Sequence, residues 1–168
     1  QRHFPAINWL ESYSLYDDKV VSWMNEHVNS RWGARRQQAI SLLADEARLQ
    51  EIVRLVGQDT LSTEDKIKLE AARSLREDFL HQNSFHEVDT YTPLQKQFDL
   101  IDLILALYDA AQEAAREGVP ANELMNLTVN ESIGRFKYID PEDTQRQHDA
   151  ILTEIASEIQ ALREGAAR

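Results

Sequence analysis

The sequence groups two histidines with two carboxylates in one short segment. His81 and His86 are five residues apart, and Glu87 and Asp89 follow. These residue types bind metal ions or act as general acids and bases. On a helix, however, a five-residue step turns the two rings about 140° apart, and no H-E-x-x-H motif is present. We therefore favour surface or loop histidines over a metal site or a small helical hydrolase that uses these side chains.

Other residues with chemical potential also lack a pattern that implies catalysis. His148 has no neighbouring partner in the sequence, and no G-x-x-x-x-G-K-[ST] or G-x-G-x-x-G motif supplies a phosphate-binding loop. Carboxylates lie close together at three places, and we predict that they line solvated faces: Asp17 with Asp18, Glu77 with Asp78, and Asp99 with Asp102. The sequence therefore assigns no catalytic residue and no metal ligand.

Aromatic residues lie beside amides in two segments, HFPAINW at residues 3–9 and FLHQNSFHEVD at residues 79–89. Flat apolar rings with nearby amides suit a planar heteroaromatic ligand such as an adenine base. Each segment also has a structural interpretation. The first could anchor the start of the chain to a bundle, and the second could be a capped and packed helix end.

Helical patterns predict the elements that must position these segments. Glycine and proline are scarce, and apolar residues recur mostly at three- and four-residue spacings. The sequence predicts an all-α helical bundle with an irregular N-terminal lead-in at residues 1–16. We expect a loop at residues 83–91 and helices at residues 17–27, 31–56, 62–82, 92–117, 120–127, 129–136 and 140–163.

Capping signals and apolar faces refine these helices. Ser62 with Asp65 resembles a capping pair, and Thr92-Pro93-Leu94-Gln95 predicts a capping box with Pro93 at the first helical position. Residues 94–117 are apolar on two faces, which predicts a central helix, whereas the last helix has one apolar stripe and should be peripheral. In the helix at residues 31–56 the apolar pattern continues through Ile52, Val53 and Val56, with Gly57 at its end.

The composition limits the possible partners. Lysine and arginine number 18 against 29 acidic residues, so the formal net charge is −11, which disfavours nucleic-acid binding. No apolar run is long enough to insert into a membrane. There is no cysteine, which excludes disulfides and thiolate chemistry. Because the chain begins at Gln1 within an apolar segment, we expect it to be part of a longer protein.

The aromatic segments and the helices between them resemble the catalytic A subunit of archaeal-type and vacuolar-type rotary ATP synthases and ATPases. The resemblance covers most of residues 2–111 in order, and it is looser beyond about residue 113. The matching runs are RHFPAINWLESYSLY at residues 2–16, LQEIVRLVG at 49–57, DKIKLEAARSLREDFLHQNSFHEVDTYTPLQKQ at 65–97, and YDAA at 108–111.

The resemblance implies that residues 1–16 lead in from an upstream nucleotide-binding domain and that residues 17–168 form the C-terminal helical domain. By position, Phe4 and Phe85 match residues of the adenine pocket, with weaker matches at Pro5, Gln82 and Asn83. ATP or ADP and Mg²⁺ would bind the full-length subunit, whose phosphate loop lies upstream. The isolated chain should therefore hold no cofactor and be inactive.

The family also implies partners and a location. Three A and three B subunits alternate around a central stalk, and ATP hydrolysis or synthesis is coupled to ion transport by a membrane sector. The subunit is cytoplasmic and peripheral to the membrane. We expect the stalk contact near residues 118–120 or in the helices that follow. A free-standing acidic all-α adaptor is the alternative function.

Overall fold

A computed structural model describes residues 8–9, 11–12 and 14–166, and these residues form an all-α bundle, as predicted. The described part of the chain contains no β-strand. Short 3₁₀ turns occur at Gln58–Thr60, Asp89–Tyr91, Phe136–Tyr138 and Pro141–Asp143. The α-helices are α1 (Asp17–His27), α2 (Trp32–Val56), α3 (Thr63–Ser74), α4 (Leu94–Arg116), α5 (Ala121–Met125), α6 (Val129–Arg135) and α7 (Thr144–Ala166).

Several helix boundaries follow from local signals in the sequence. Gly57 and Gly118 end α2 and α4 with φ angles of 90° and 98°, a region that favours glycine. The Ser62 hydroxyl accepts a hydrogen bond from the backbone N–H of Asp65, which confirms the predicted cap of α3.

The predicted capping box at the start of α4 is wrong. Pro93 is the N-cap rather than the first helical residue, and no side chain caps this end. The Thr92 hydroxyl donates to the carbonyl oxygen of Asp89, and the Gln95 amide donates to the carboxylate of Asp99. Both side chains therefore bond to groups three or four residues away in the chain rather than to the free N–H groups of the helix end.

The helix predicted over residues 62–82 changes character after α3. Residues Leu75–Leu80 form a π-helical turn, and the chain becomes extended at His81. This wider turn packs against α4 and α6 and leads directly into residues 81–92, which precede α4. Such turns inside helices often occur beside functional segments.

Helix α4 is the centre of the bundle, as its two apolar faces predicted. Every residue from 98 to 105 is buried, including the acidic residues Asp99 and Asp102. Helix α7 is peripheral and buries one stripe, Ile151, Ile155 and Ile159. Trp9 packs against the same core from the N-terminal side.

Contacts between helices show their relative directions. Arg31, which precedes α2, reaches Asp102 of α4, and Gln38, farther along α2, reaches Asp109. On α7, His148 reaches Asp102 and Arg163 reaches Glu113. Helices α2, α4 and α7 therefore run in the same direction, whereas α3 runs opposite to α4, because Gln112 near the end of α4 donates to the carbonyl oxygen of Glu64 at the start of α3. The bundle consequently has a loop end, which carries residues 81–93, and a tip, which carries the turns at Gly57 and Gly118.

The end of α2 differs from the prediction. Beyond Leu49 no residue of this helix is buried, and Ile52, Leu55 and Val56 are exposed. We call these three residues the apolar tip patch. The apolar spacing predicted the helix correctly but not the point at which its neighbours stop covering it.

No helix among the described residues is long and apolar enough to span a bilayer.

Candidate functional site

Phe85 is the most exposed large apolar side chain at the loop end. It is 96% exposed, and it lies between the π-helical turn and α4. A phenylalanine in this position contributes nothing to the core of the domain. The alternative of a packed helix end thus holds for Phe79 and Leu80, which pack against the core, but not for Phe85, whose ring is exposed and can stack on a planar group.

Asn83 shapes the loop around Phe85. Its side-chain oxygen accepts a hydrogen bond from the backbone N–H of Phe85 at 3.1 Å, and its carbonyl oxygen accepts one from His86 at 3.1 Å. Its own backbone N–H donates to the carboxylate of Asp89 at 2.6 Å. Asn83 is therefore engaged within the loop, where it sets the backbone that presents Phe85.

His86 and Asp89 also form hydrogen bonds within the loop. The Nδ1 atom of His86 accepts from the backbone N–H groups of Val88 at 3.2 Å and Asp89 at 3.4 Å. Its ring packs against Tyr138 with centroids 4.6 Å apart. Among the described residues, no three histidine or acidic side chains are grouped so that they could hold a metal ion.

Gln82 lies on a different side of the loop. It lines a cavity of about 220 Å³ together with residues of the π-helical turn and α4, and Phe85 is not part of this lining. Its amide makes only a long contact, 3.5 Å, with the carbonyl oxygen of Asp89. Within the described structure Gln82 therefore lines a cavity that Phe85 does not border. Phe4 and Pro5 lie outside the described residues.

Two further aromatic side chains at the loop end were missed in the sequence. Tyr91 is exposed, and Tyr138 is partly exposed beside His86. Tyr138 follows α6, more than 50 residues away in the chain, so only the fold brings it to this end. The loop end therefore exposes several aromatic side chains.

A buried charge cluster below this loop was also missed. The side chain of Asp102 is 2% exposed, and it accepts hydrogen bonds from Arg31 and Arg35 of α2 and from His148 of α7. Arg35 continues to Asp109 at 2.7 Å. The expectation that Asp102 is solvated is wrong, and His148 does have a partner. One carboxylate thus connects the three parallel helices.

The cluster shifts the proton affinities of its members. Burial would raise the pKa of Asp102, but hydrogen bonds from His148 and Arg35 and the charges of both arginines lower it to about 2. The same hydrogen bond to Asp102 raises the pKa of His148, against burial and with help from Asp99 and Asp149. At neutral pH the cluster therefore holds an ionised Asp102.

Asp99 lies one turn before Asp102 and is also buried, contrary to the prediction. One of its oxygens accepts from Gln95 at 2.8 Å, whereas the other oxygen has no hydrogen-bond partner. Burial raises the pKa of Asp99, and the neighbouring charge of Asp102 acts in the same direction. The two buried carboxylates of α4 therefore have opposite pKa shifts, because only Asp102 is fully paired.

Comparison with known proteins decides the family. A profile of the C-terminal domain of V and A type ATP synthase matches residues 21–125, well over half of the chain. The chain belongs to this family. The match begins within α1 and includes α2 to α5, the π-helical turn and the whole loop that presents Phe85. The resemblance seen in the sequence is therefore confirmed.

Full-length relatives extend the match beyond these residues. The V-type ATP synthase alpha chain of Clostridioides difficile (strain 630) is 53% identical over 162 residues, which are 96% of this chain and 27% of that protein. The alpha chain of Thermoanaerobacter sp. (strain X514) is 54% identical over 166 residues, 99% of this chain and 28% of that protein.

The chain thus spans just over a quarter of the length of the curated relatives it matches. It corresponds to the C-terminal domain of the V- and A-type ATP synthase alpha chain. A free-standing adaptor is not favoured, because nearly all of the chain aligns with part of a larger subunit.

Proposed function

We propose that this domain completes the adenine-binding pocket of the alpha chain through Phe85 and transmits motion from the nucleotide site to the central stalk. The observation that carries the first part is the exposure of Phe85 on a loop whose backbone is held by a hydrogen bond from the Phe85 N–H to the side chain of Asn83. The ring is preorganised but uncovered. A second ring, from Phe4, is proposed to face it across the base, with Pro5 stiffening that segment.

The rest of the alpha chain would bind the phosphates and Mg²⁺. The sequence lacks a glycine-rich phosphate loop, and the described residues contain no carboxylate cluster suited to a metal. In this proposal the domain therefore contacts only the base of ATP or ADP. Isolated, it should neither bind nucleotide with micromolar affinity nor hydrolyse it.

The second part of the proposal concerns the tip. We expected the stalk contact near residues 118–120, and that turn does lie at the tip, but its Val119 is buried. The apolar tip patch on α2 is a better contact surface because Leu55 is 84% exposed there. Exposed apolar side chains clustered at one end of a domain mark an interaction site.

The proposed setting is a cytoplasmic ring of alternating alpha chains and B subunits, peripheral to the membrane and coupled to ion transport. Closure of the nucleotide site would move the loop end, and the packed bundle would carry this displacement to the tip. Helix α2, with 25 residues, is about 37 Å long. Close-packed helices deform little, so the covered part of α2, up to Leu49, would carry the motion with little loss to the uncovered last turns that bear the stalk contact.

The pocket is tested by ATP hydrolysis of the assembled complex with Phe85→Ala and, as a control that keeps the ring, Phe85→Tyr. Stacking of a base on an aromatic ring contributes about 1–3 kcal/mol, which corresponds to an increase in KM for ATP of about 5- to 150-fold. We expect little change in kcat, because Phe85 does not touch the phosphates. An unchanged KM in Phe85→Ala would exclude the pocket.

The stalk contact is tested with Leu55→Ser in the complex reconstituted into vesicles. We expect ATP hydrolysis to persist while ion transport per ATP decreases, because less of the domain's displacement would reach the stalk through the tip. Leu15→Ser is the matched control, because Leu15 is 86% exposed on the lead-in rather than at the tip. Equal coupling in both variants would contradict a stalk contact at this patch.

A further inference from the structure

The loop that carries Phe85 is built on a buried carboxylate that touches neither solvent nor the proposed ligand surface. Asp89 is 3% exposed, although it lies between the exposed residues Phe85 and Tyr91. Its carboxylate accepts the backbone N–H of Asn83 at 2.6 Å. A short hydrogen bond to an ionised group is stronger than one between neutral groups.

The hydrogen bond from Asn83 to Asp89 continues to Phe85. The side-chain oxygen of Asn83 accepts the backbone N–H of Phe85 at 3.1 Å. Two consecutive hydrogen bonds thus connect a buried, fixed group with the backbone of an exposed ring. The carbonyl oxygen of Asp89 is also held, at 3.0 Å, by the Thr92 hydroxyl at the start of α4.

A buried ammonium group joins the first turn of α4 to the turn that follows α6. Lys96 of α4 is 2% exposed, and its Nζ donates to the carbonyl oxygen of Lys137 at 2.8 Å and to that of Ile139. Burial lowers the pKa of Lys96, and the negative charges of Asp89 and Asp140 oppose this effect. The start of α4, which directly follows the loop, is therefore fixed to residues 137 and 139.

We propose that Asp89 is a positioning residue for nucleotide binding: through Asn83 it fixes the loop in the conformation that presents Phe85 to the base. This inference rests on the proposed adenine contact of Phe85. It adds that affinity for the base depends on a residue that never touches it. Without Asp89 the loop samples other conformations, and only a fraction of the molecules is ready to bind.

The test measures steady-state ATP hydrolysis by the full complex with Asp89→Ala, Phe85→Ala and the double variant. A loop that is correctly placed for about a tenth of the time weakens apparent affinity about tenfold, so we expect a KM for ATP about tenfold higher in Asp89→Ala. The value of kcat should stay close to that of the parent complex. In the double variant, KM should equal that of Phe85→Ala, because Asp89 acts only through the ring.

A second variant guards against a folding defect in Asp89→Ala. Asn83→Ala keeps the backbone N–H that Asp89 accepts but removes the oxygen that accepts from Phe85. It leaves the buried charges in place, and it should also raise KM without an additional effect in the Phe85→Ala background. Asp143→Ala, an exposed change far along the chain on the turn before α7, is the control and should leave KM unchanged.

The outcomes separate the two proposals. If Phe85→Ala leaves KM unchanged, the adenine contact is wrong, and the positioning role falls with it. If Phe85→Ala raises KM but Asn83→Ala and Asp89→Ala do not, only the positioning role is overturned. The same holds if the effects of Asn83→Ala and Asp89→Ala on KM add to the effect of Phe85→Ala. A merely structural role would lower the amount of assembled complex or kcat, rather than KM alone.

Discussion

Replacing Asp102 by asparagine should destabilise the bundle more than any other single change of one carboxylate on α4. The variant keeps the size of the side chain but removes its charge. Asp102 joins α2, α4 and α7, since Arg31, Arg35 and His148 all donate to it. Removing one partner of a buried ion pair leaves the others uncompensated.

The magnitude follows from the proton affinity of the group. A pKa lowered from the model-peptide value of 3.8 to about 2 corresponds to about 2 kcal/mol of interaction that favours the ionised form in the folded state. Loss of a partner in a buried pair typically costs about 3–5 kcal/mol. After the change, solvent can partly compensate the charge of Arg31, which is half exposed, and Asp109 can partly compensate that of Arg35. We therefore expect a loss of about 2–4 kcal/mol at pH 7.

Urea denaturation at pH 7 measures this loss, with Asp109→Asn as the matched control. Asp109 lies on the same helix and shares Arg35, but its side chain is 48% exposed, and exposed pairs contribute less than about 1 kcal/mol. Because the pKa of Asp102 is depressed, its contribution is present above pH 3.8 and decreases as the pH falls towards 2. A loss below 1 kcal/mol in Asp102→Asn, equal to that of Asp109→Asn, would refute the argument.

Three further changes test other features of the fold. His148→Gln should lower the free energy of unfolding more at pH 5.5 than at pH 9, as measured by urea titration. The raised pKa of His148 stabilises the folded state below pH 6.5, and this contribution is lost as the pH rises through the folded-state pKa. An equal loss at both pH values would contradict this role of His148. Gly33→Ala places a Cβ 2.7 Å from Cγ1 of Val21, so hydrogen exchange should show faster opening of α1, and unchanged rates would argue against the close approach. Gly57→Ala should lower the free energy of unfolding by about 1 kcal/mol or more because φ is 90°, whereas Gly165→Ala, a control in open space near the end of α7, should not reduce stability.

Much of the fold could be predicted because it depends on local patterns. The periodicity of α4 and its two apolar faces predicted a central helix, and Gly57, Gly118 and Ser62 marked helix boundaries. These signals lie within a few residues of the feature that they specify. The capping box at Thr92 failed because α4 begins one residue later than predicted, with Pro93 rather than Thr92 as its N-cap.

The parts that could not be predicted depend on contacts between distant segments. Asp102 and His148 are 46 residues apart, and nothing near either of them indicates the other. The exposure of Leu55 depends on where the helices beside α2 end. For the candidate site, the sequence marked Phe85 and its loop, but it could not distinguish Asn83, which shapes the loop, from Gln82, which lines a separate cavity.

The placement of the charge cluster and of the last turns of α2 determines how the domain responds to force. Arg31 and Arg35 fix the start of α2 to Asp102, while the residues after Leu49 extend beyond the core. Mechanically, the helix is a cantilever that is clamped at one end and unsupported over its final two turns. A displacement applied at the clamp is transmitted rigidly as far as Leu49 and elastically beyond it. The domain therefore combines a stiff arm with a compliant end, which can bend and recoil while the rest of the bundle keeps its shape.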